Sequence, residues 1–104
     1  MYGRLVEVEG IDASRRDEIL AIMRERIIPG MEKIEGFAGF ISLVDNQNSR
    51  GRSVVLWETR EGAEEAERQF GPKREEMVRE FGGTVRSADL YDAPIVEVHA
   101  GVRA

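Results

Sequence analysis

The sequence predicts an α+β domain in which two β-α-β units interlock in the order β-α-β-β-α-β. Three observations carry this expectation. Four short segments have strand character: Tyr2–Glu9, Phe37–Val44, Arg52–Glu58 and Thr84–Tyr91. Helical stretches separate the first strand from the second and the third from the fourth. A polar, turn-prone run, Asp45-Asn46-Gln47-Asn48-Ser49-Arg50-Gly51, joins the middle two as a hairpin.

Each element follows from its residues. Tyr2–Glu9 alternates loosely around Leu5, Val6 and Val8, and Gly10 ends it. Asp12 is placed to cap the next helix by accepting orphan amide protons of its first turn. Asp17 and Glu18 add negative charge near the positive end of that helix dipole. The helix is expected from Ala13 to Ile34. Ile19, Met23, Ile27, Met31 and Ile34 recur at three and four residues and form one apolar stripe, widened by Leu20 and Ile28. Pro29 lies inside it, lacks an amide donor and crowds the preceding turn, so a kink is expected there. Gly36 is expected to end the helix with a positive φ.

The second strand is apolar on both faces, with Phe37, Ile41 and Leu43 on one and Ala38, Phe40 and Val44 on the other. The third repeats this, with Val55 and Trp57 opposed to Val54 and Leu56. A sheet with one solvated face alternates more cleanly. Both faces are therefore expected to be covered, the second by another copy of the chain. Thr59 is expected to cap a helix over Arg60–Phe70. Gly71-Pro72 is expected to interrupt it, with Pro72 opening a further helix that carries Met77, Val78 and Phe81. Gly82-Gly83 ends that helix, and Pro94 breaks the chain after the fourth strand. Ile95–His99 is expected as a short extended arm. The reading is one ferredoxin-like domain over 1–104, with helices on one face of an antiparallel sheet and residues 93–104 reaching a partner subunit.

Composition excludes several function classes. The chain of 104 residues has 20 acidic and 15 basic side chains, a net charge of −5, and no Lys/Arg run longer than two. Nucleic-acid binding needs an electropositive face, so it is not expected. The absence of cysteine excludes disulfides, thiolate catalysis and cysteine-ligated metal sites. No apolar run approaches the ~20 residues that span a bilayer. Charges fall where a secretory signal has its apolar stretch, so a cytoplasmic location is expected. Glu64, Glu65, Glu67, Glu75, Glu76 and Glu80 look like a carboxylate series. Arg68, Lys73, Arg74 and Arg79 interleave with them, as on a solvated helix face. Neither a metal nor a cofactor is expected, and no dinucleotide, P-loop, zincin or hydrolase motif is present.

The stretch PGMEKIEGFAGFISLVDNQNSRGRSVVLWET, Pro29 to Thr59, resembles the dimeric α/β-barrel superfamily, in particular its antibiotic-biosynthesis-monooxygenase-like branch. The Pro-Gly turn, the strand start Gly36-Phe37, the turn Asp45–Gly51 and the strand end Trp57-Glu58-Thr59 carry the resemblance. It implies that two subunits pack sheet against sheet, that C-terminal segments reach across, and that pockets lie between sheet and helices. It also implies one of several activities. Some members oxidise phenolic or quinol substrates with oxygen and neither metal nor flavin, and others degrade haem. The haem-degrading pattern needs a second tryptophan and a histidine in the following helices. Here Ala66 and Glu76 stand at those places.

Four residues are pocket candidates, each with a plainer reading beside it. Trp57 can stack on an aromatic substrate or simply fill core. His99, the only histidine, is an acid–base candidate or an interface side chain. Arg4 can bind a carboxylate or phenolate, or pair with Glu58 or another strand acid. Tyr91 can hydrogen-bond a substrate oxygen or fill an interface. Met23, Met31 and Met77, at helical spacing, read as core. The resemblance implies a cofactor-independent monooxygenase acting on a small aromatic or quinol-like compound. The alternative is a non-catalytic small-molecule-binding or structural homodimer.

Overall fold

Four antiparallel strands form one sheet in the computed structural model, which describes residues 1–99. They are β1 (Tyr2–Glu9), β2 (Phe37–Asp45), β3 (Arg50–Trp57) and β4 (Thr84–Asp92), in the spatial order β2-β3-β1-β4. This is the expected β-α-β-β-α-β topology. The hairpin is tighter than expected, and the strands pair as far as Asp45 opposite Arg50. The Asp45 carboxylate closes it, accepting from Asn48 Nδ2 at 2.9 Å and from Arg50 Nη2 at 2.7 Å. These hydrogen bonds, Asn48 first, lower its pKa from the ordinary carboxylate range to about 2.

The first helical stretch departs from a plain helix. Asp12 accepts from Ser14 N at 2.9 Å and caps a 3₁₀ turn, Ala13–Arg15. Then come α1 (Arg16–Ile22), a π-helical segment (Met23–Ile27) and α2 (Ile28–Glu32). Pro29 stands in the first turn of α2. The wider π turn just before it loosens the turn that its ring would otherwise crowd. The kink expected at Pro29 is thus a local change of helical winding. Gly36, at φ +96°, lies beyond the helix end, in the turn into β2.

The second helix, α3 (Arg60–Glu80), runs unbroken through Gly71-Pro72, where an interruption was expected. Its start is capped by Thr59, whose hydroxyl accepts from Gly62 N at 3.0 Å. A bidentate clamp bridges the proline turn, with Arg74 Nη1 and Nη2 on the two Glu67 oxygens at 2.9 and 2.7 Å. Gly71 makes room for it, because a Cβ there would sit 3.0 Å from Glu67 Oε1. Glu67 also holds Arg4 Nε at 3.5 Å, tying α3 to β1. The Arg74 hydrogen bonds hold the Glu67 carboxyl below its ordinary range, against the effect of burial.

The core gathers at one end of the helix-facing side of the sheet. Trp57, 1% exposed, lies under α3 with Met31, Val55, Ala63 and Ala66. A register shift between Phe37 and Gly39 lets Phe37 pack on this core beside Phe40, rather than share a face with Ile41 and Leu43 as simple alternation suggests. Phe37 meets Trp57 edge-on, with ring centroids 5.6 Å apart.

The other face carries no helix. Leu56 lies there across Gly3 and Gly39, whose Cβ positions fall 3.8 and 3.5 Å from its methyl carbons. Ile41, Leu43 and Tyr91 are exposed on this face, Leu43 at 57%. Beyond β4, Ala93 N donates to Met1 O, and Ile95–His99 joins no strand. The remainder of the proposed arm, 100–104, lies outside the described residues. Among the described residues no helix is long and apolar enough to cross a membrane.

Two outcomes follow from these contacts. Gly62→Ala puts a Cβ 2.6 Å from Glu35 O and 3.3 Å from Trp57, so the helix must lift off the tryptophan. A loss of about 1–3 kcal/mol is expected in urea unfolding, and an unchanged midpoint would contradict this packing. Glu67→Gln is expected to cost about 1–3 kcal/mol at pH 7, because it weakens the clamp and leaves two arginines on a neutral amide. A depressed carboxyl pKa stabilises the fold above the unfolded value of about 4.3, and that contribution is lost as pH falls through the folded value. The gap between wild type and Glu67→Gln should therefore be full at neutral pH and shrink below about pH 4. A gap independent of pH would show that the Glu67 charge is not responsible.

Candidate functional site

The first helical stretch leaves the sheet at its N-terminal half. No residue of α1 or of the π-helical segment is buried, whereas Met31 in α2 is 4% exposed. Gly30 pins the C-terminal half, since a Cβ there would lie 2.9 Å from Phe70 Cζ. Between this hinge point and the hairpin lies a cavity of about 190 Å³.

Its walls are apolar. Ile19, Leu20, Met23 and Ile27 line it from the first helical stretch, Phe70, Met77 and Val78 from α3, and Val6, Phe40 and Val55 from the sheet. Two hydroxyls interrupt this surface. Ser42 and Ser53 both line the cavity and stand opposite each other in the β2–β3 register. Arg16, Asp45, Asn46, Ser49, Arg50 and Lys73 supply polar groups to the lining. Ser42 and Val44 are exposed, so the cavity opens along β2 towards the hairpin.

None of the four sequence-derived pocket candidates lines this cavity, and they do not come together. Trp57 is buried in the core with Met31 and Val55, which do line it. Arg4 donates to Ala88 O at 3.1 Å and pairs with Glu67, so its acidic partner comes from α3 and not from Glu58. Tyr91, 53% exposed, is paired with Gly3 on the helix-free face. His99 is exposed in the arm, with Nε2 3.2 Å from Glu97 Oε2.

Of the residues that do line the cavity, Met23, Met31 and Met77 were read from the sequence as core, and Ile19 and Ile27 as part of one apolar stripe. Met23 and Met77 are half-buried lining side chains, and Met31 alone of the three methionines is buried. One signal in the sequence, missed in reading it, marks this surface. Ser42 falls between Phe40 and Val44, and Ser53 between Gly51 and Val55, at positions where alternation calls for core. Two facing hydroxyls there mark a surface that stays wet or meets a ligand. The acidic series on α3 forms local pairs instead, Arg60–Glu64 at 3.9 Å and Arg68–Glu65 at 3.2 Å. Among the described residues no group of three or more His, Asp or Glu is arranged to hold a metal ion.

No family model matches the chain. An uncharacterized protein of Mycobacterium tuberculosis, Rv2557, is 32% identical over 68 residues, which are 65% of this chain and 30% of that protein. The chain thus spans about a third of the length of the curated relatives it matches. Solved structures align over nearly its whole length. A monooxygenase from the gene ActVA-Orf6 of Streptomyces coelicolor, in complex with nanaomycin D, superposes with a TM-score of 0.68 at 9% identity, covering 94% of this chain and 92% of that one. A dimeric ferredoxin-like protein from an uncultured marine organism gives 0.68 at 10% identity, covering 95% and 100%. SnoaB of Streptomyces nogalater, a cofactor-independent oxygenase, gives 0.65 at 12% identity, covering 91% and 95%. The β2-β3-β1-β4 sheet with helices on one face is therefore the ferredoxin-like fold that these structures share.

Proposed function

We propose that the protein is a homodimer that takes a small aromatic or quinol-like compound into the cavity and oxidises it as a cofactor-independent monooxygenase. The cavity carries this reading: an apolar chamber between sheet and helices with two facing hydroxyls. A cavity of about 150 Å³ suffices for benzene, so about 190 Å³ suits a substituted ring or a compact two-ring system. The fold likeness to a monooxygenase and to a cofactor-independent oxygenase supports the reaction class.

In that chemistry the substrate supplies the electrons. A ring-bound CH₂, acidified by the ring carbonyl beside it, gives its proton to water at the open, hairpin end of the cavity, and the carbanion passes an electron to O₂. The resulting radical pair closes a C–O bond to give a peroxide. Loss of water then leaves a carbonyl, so one oxygen atom enters the product and the other departs with two substrate hydrogens. The chain's part is to exclude water with Ile19, Met23 and Ile27. Ser42 and Ser53 donate hydrogen bonds to the substrate oxygen that bears the developing charge.

A second reading, a binding protein without chemistry, is favoured by the lining itself. Among the described residues no imidazole or phenol reaches the cavity, and its one carboxylate, Asp45, is held near pKa 2 by Asn48 and Arg50. The two readings separate on oxygen uptake with anthrones and hydroquinones. The first expects consumption of one O₂ per product carbonyl, slowed about tenfold or more by Met23→Trp, which fills the chamber. Ligand binding with no uptake across the panel would leave the second reading standing.

The homodimer rests on the uncovered apolar face and on the dimeric ferredoxin-like neighbour. Light scattering should give twice the 11.7 kDa of the chain. Val54→Asp, on the helix-free face, should shift it to monomer. Phe40→Asp should instead unfold the chain, because Phe40 packs on the Trp57 core. A Val54→Asp protein that stays dimeric would remove this face as the interface.

A further inference from the structure

The cavity departs from the charge of the rest of the molecule. The whole chain has an acidic excess, 20 against 15. The cavity lining has five basic residues, Arg16, Arg50, Arg52, Lys73 and Arg74, and one acidic residue, Asp45. Three of the five are neutralised. Arg50 pairs with Asp45 at 2.7 Å, Arg52 with Glu7 at 3.0 Å and Arg74 with Glu67 at 2.7 Å. Glu67 is shared with Arg4, so that cluster keeps a net positive charge beside the chamber.

Arg16 and Lys73 make no ion pair among the described residues. Arg16 is exposed and faces the cavity, while its neighbour Arg15 is occupied by Glu18 and by the Phe81 ring. Lys73 holds its ammonium 5.2 Å from the centroid of Phe70, itself part of the cavity wall. Among the described residues the one lining carboxylate, Asp45, is already held by Arg50, which offsets its repulsion of an anion there.

We infer that the cavity selects an apolar ligand bearing an anionic group, of the aromatic carboxylate class. Ile19, Met23 and Phe70 hold its ring, and Arg16 and Lys73 receive its charge. This rests on the preceding reading of the cavity as the ligand site. Surface potentials of this kind bias binding by sign without requiring a preformed bidentate clamp.

The test compares 1-naphthoate with 1-naphthalenemethanol, which share the ring and differ in charge, by calorimetric titration of the full chain. Naphthoate is expected to bind at least about tenfold tighter at about 0.02 M salt, and the gap to narrow at about 0.5 M. The double variant Arg16→Gln/Lys73→Gln should bring naphthoate down to the affinity of the alcohol. Each single variant should close part of the gap. Both positions are exposed, and circular dichroism would verify that the variants remain folded. Equal binding of the two probes overturns the charge preference and leaves the cavity as an apolar site. A gap that survives the double variant overturns the assignment of Arg16 and Lys73. Binding of neither probe overturns this inference together with the cavity reading.

Discussion

The descent of α3 onto Trp57 is the contact on which the remaining architecture depends. A helix can approach an indole this closely only where it presents almost no side chain. Gly62, Ala63 and Ala66 do so, and all three are buried. The Thr59 cap sets the start of the helix at the tryptophan's own strand end. Met31 of the first helical stretch then closes over the same core with Val55. Apolar burial is non-directional, but close approach is not, and small residues in one place decide where the two layers touch.

That placement makes the core lopsided, and the cavity is its complement. The first helical stretch is fixed at Met31 and at the Gly30–Phe70 contact. Nothing comparable holds its other half, which carries no buried residue. The π-helical segment lies between the fixed and free halves. Such segments often mark functional places in helices, because the wider turn re-aims the residues before it. Here those residues are the apolar stripe that lines the chamber.

Charge is distributed with the same division of labour. Within the fold, Glu67 serves two arginines, and one of its bonds spans the proline turn of α3, so a single carboxylate supports helix continuity and ties helix to sheet. Around the chamber the remaining cations have no such partner. The helix-free face mixes apolar side chains, with Leu56 laid flat over two glycines and Leu43 and Tyr91 open to solvent, and the Glu7–Arg52 ion pair. The three surfaces are chemically distinct: a packed core under α3, an apolar chamber with cations in its lining, and a sheet face that no helix covers.

The sequence by itself determined the strand and helix order, the caps at Asp12 and Thr59, and the two-sided character of β2 and β3. These depend on local rules of period, capping and turn chemistry that act within a few residues. It also carried a signal for the hydroxyl pair, since Ser42 and Ser53 break the core pattern, but only the register across two strands revealed that they meet. Only the tertiary structure decided the continuity of α3, because the clamp past Pro72 depends on the space at Gly71. Only it decided the side taken by Phe37, because a bulge reverses the alternation. It likewise decided the location of the chamber. An apolar stripe reads the same whether it meets a sheet or faces an opening. The difference lies in how far the helix stands from the strands, and contacts distant in sequence set that distance.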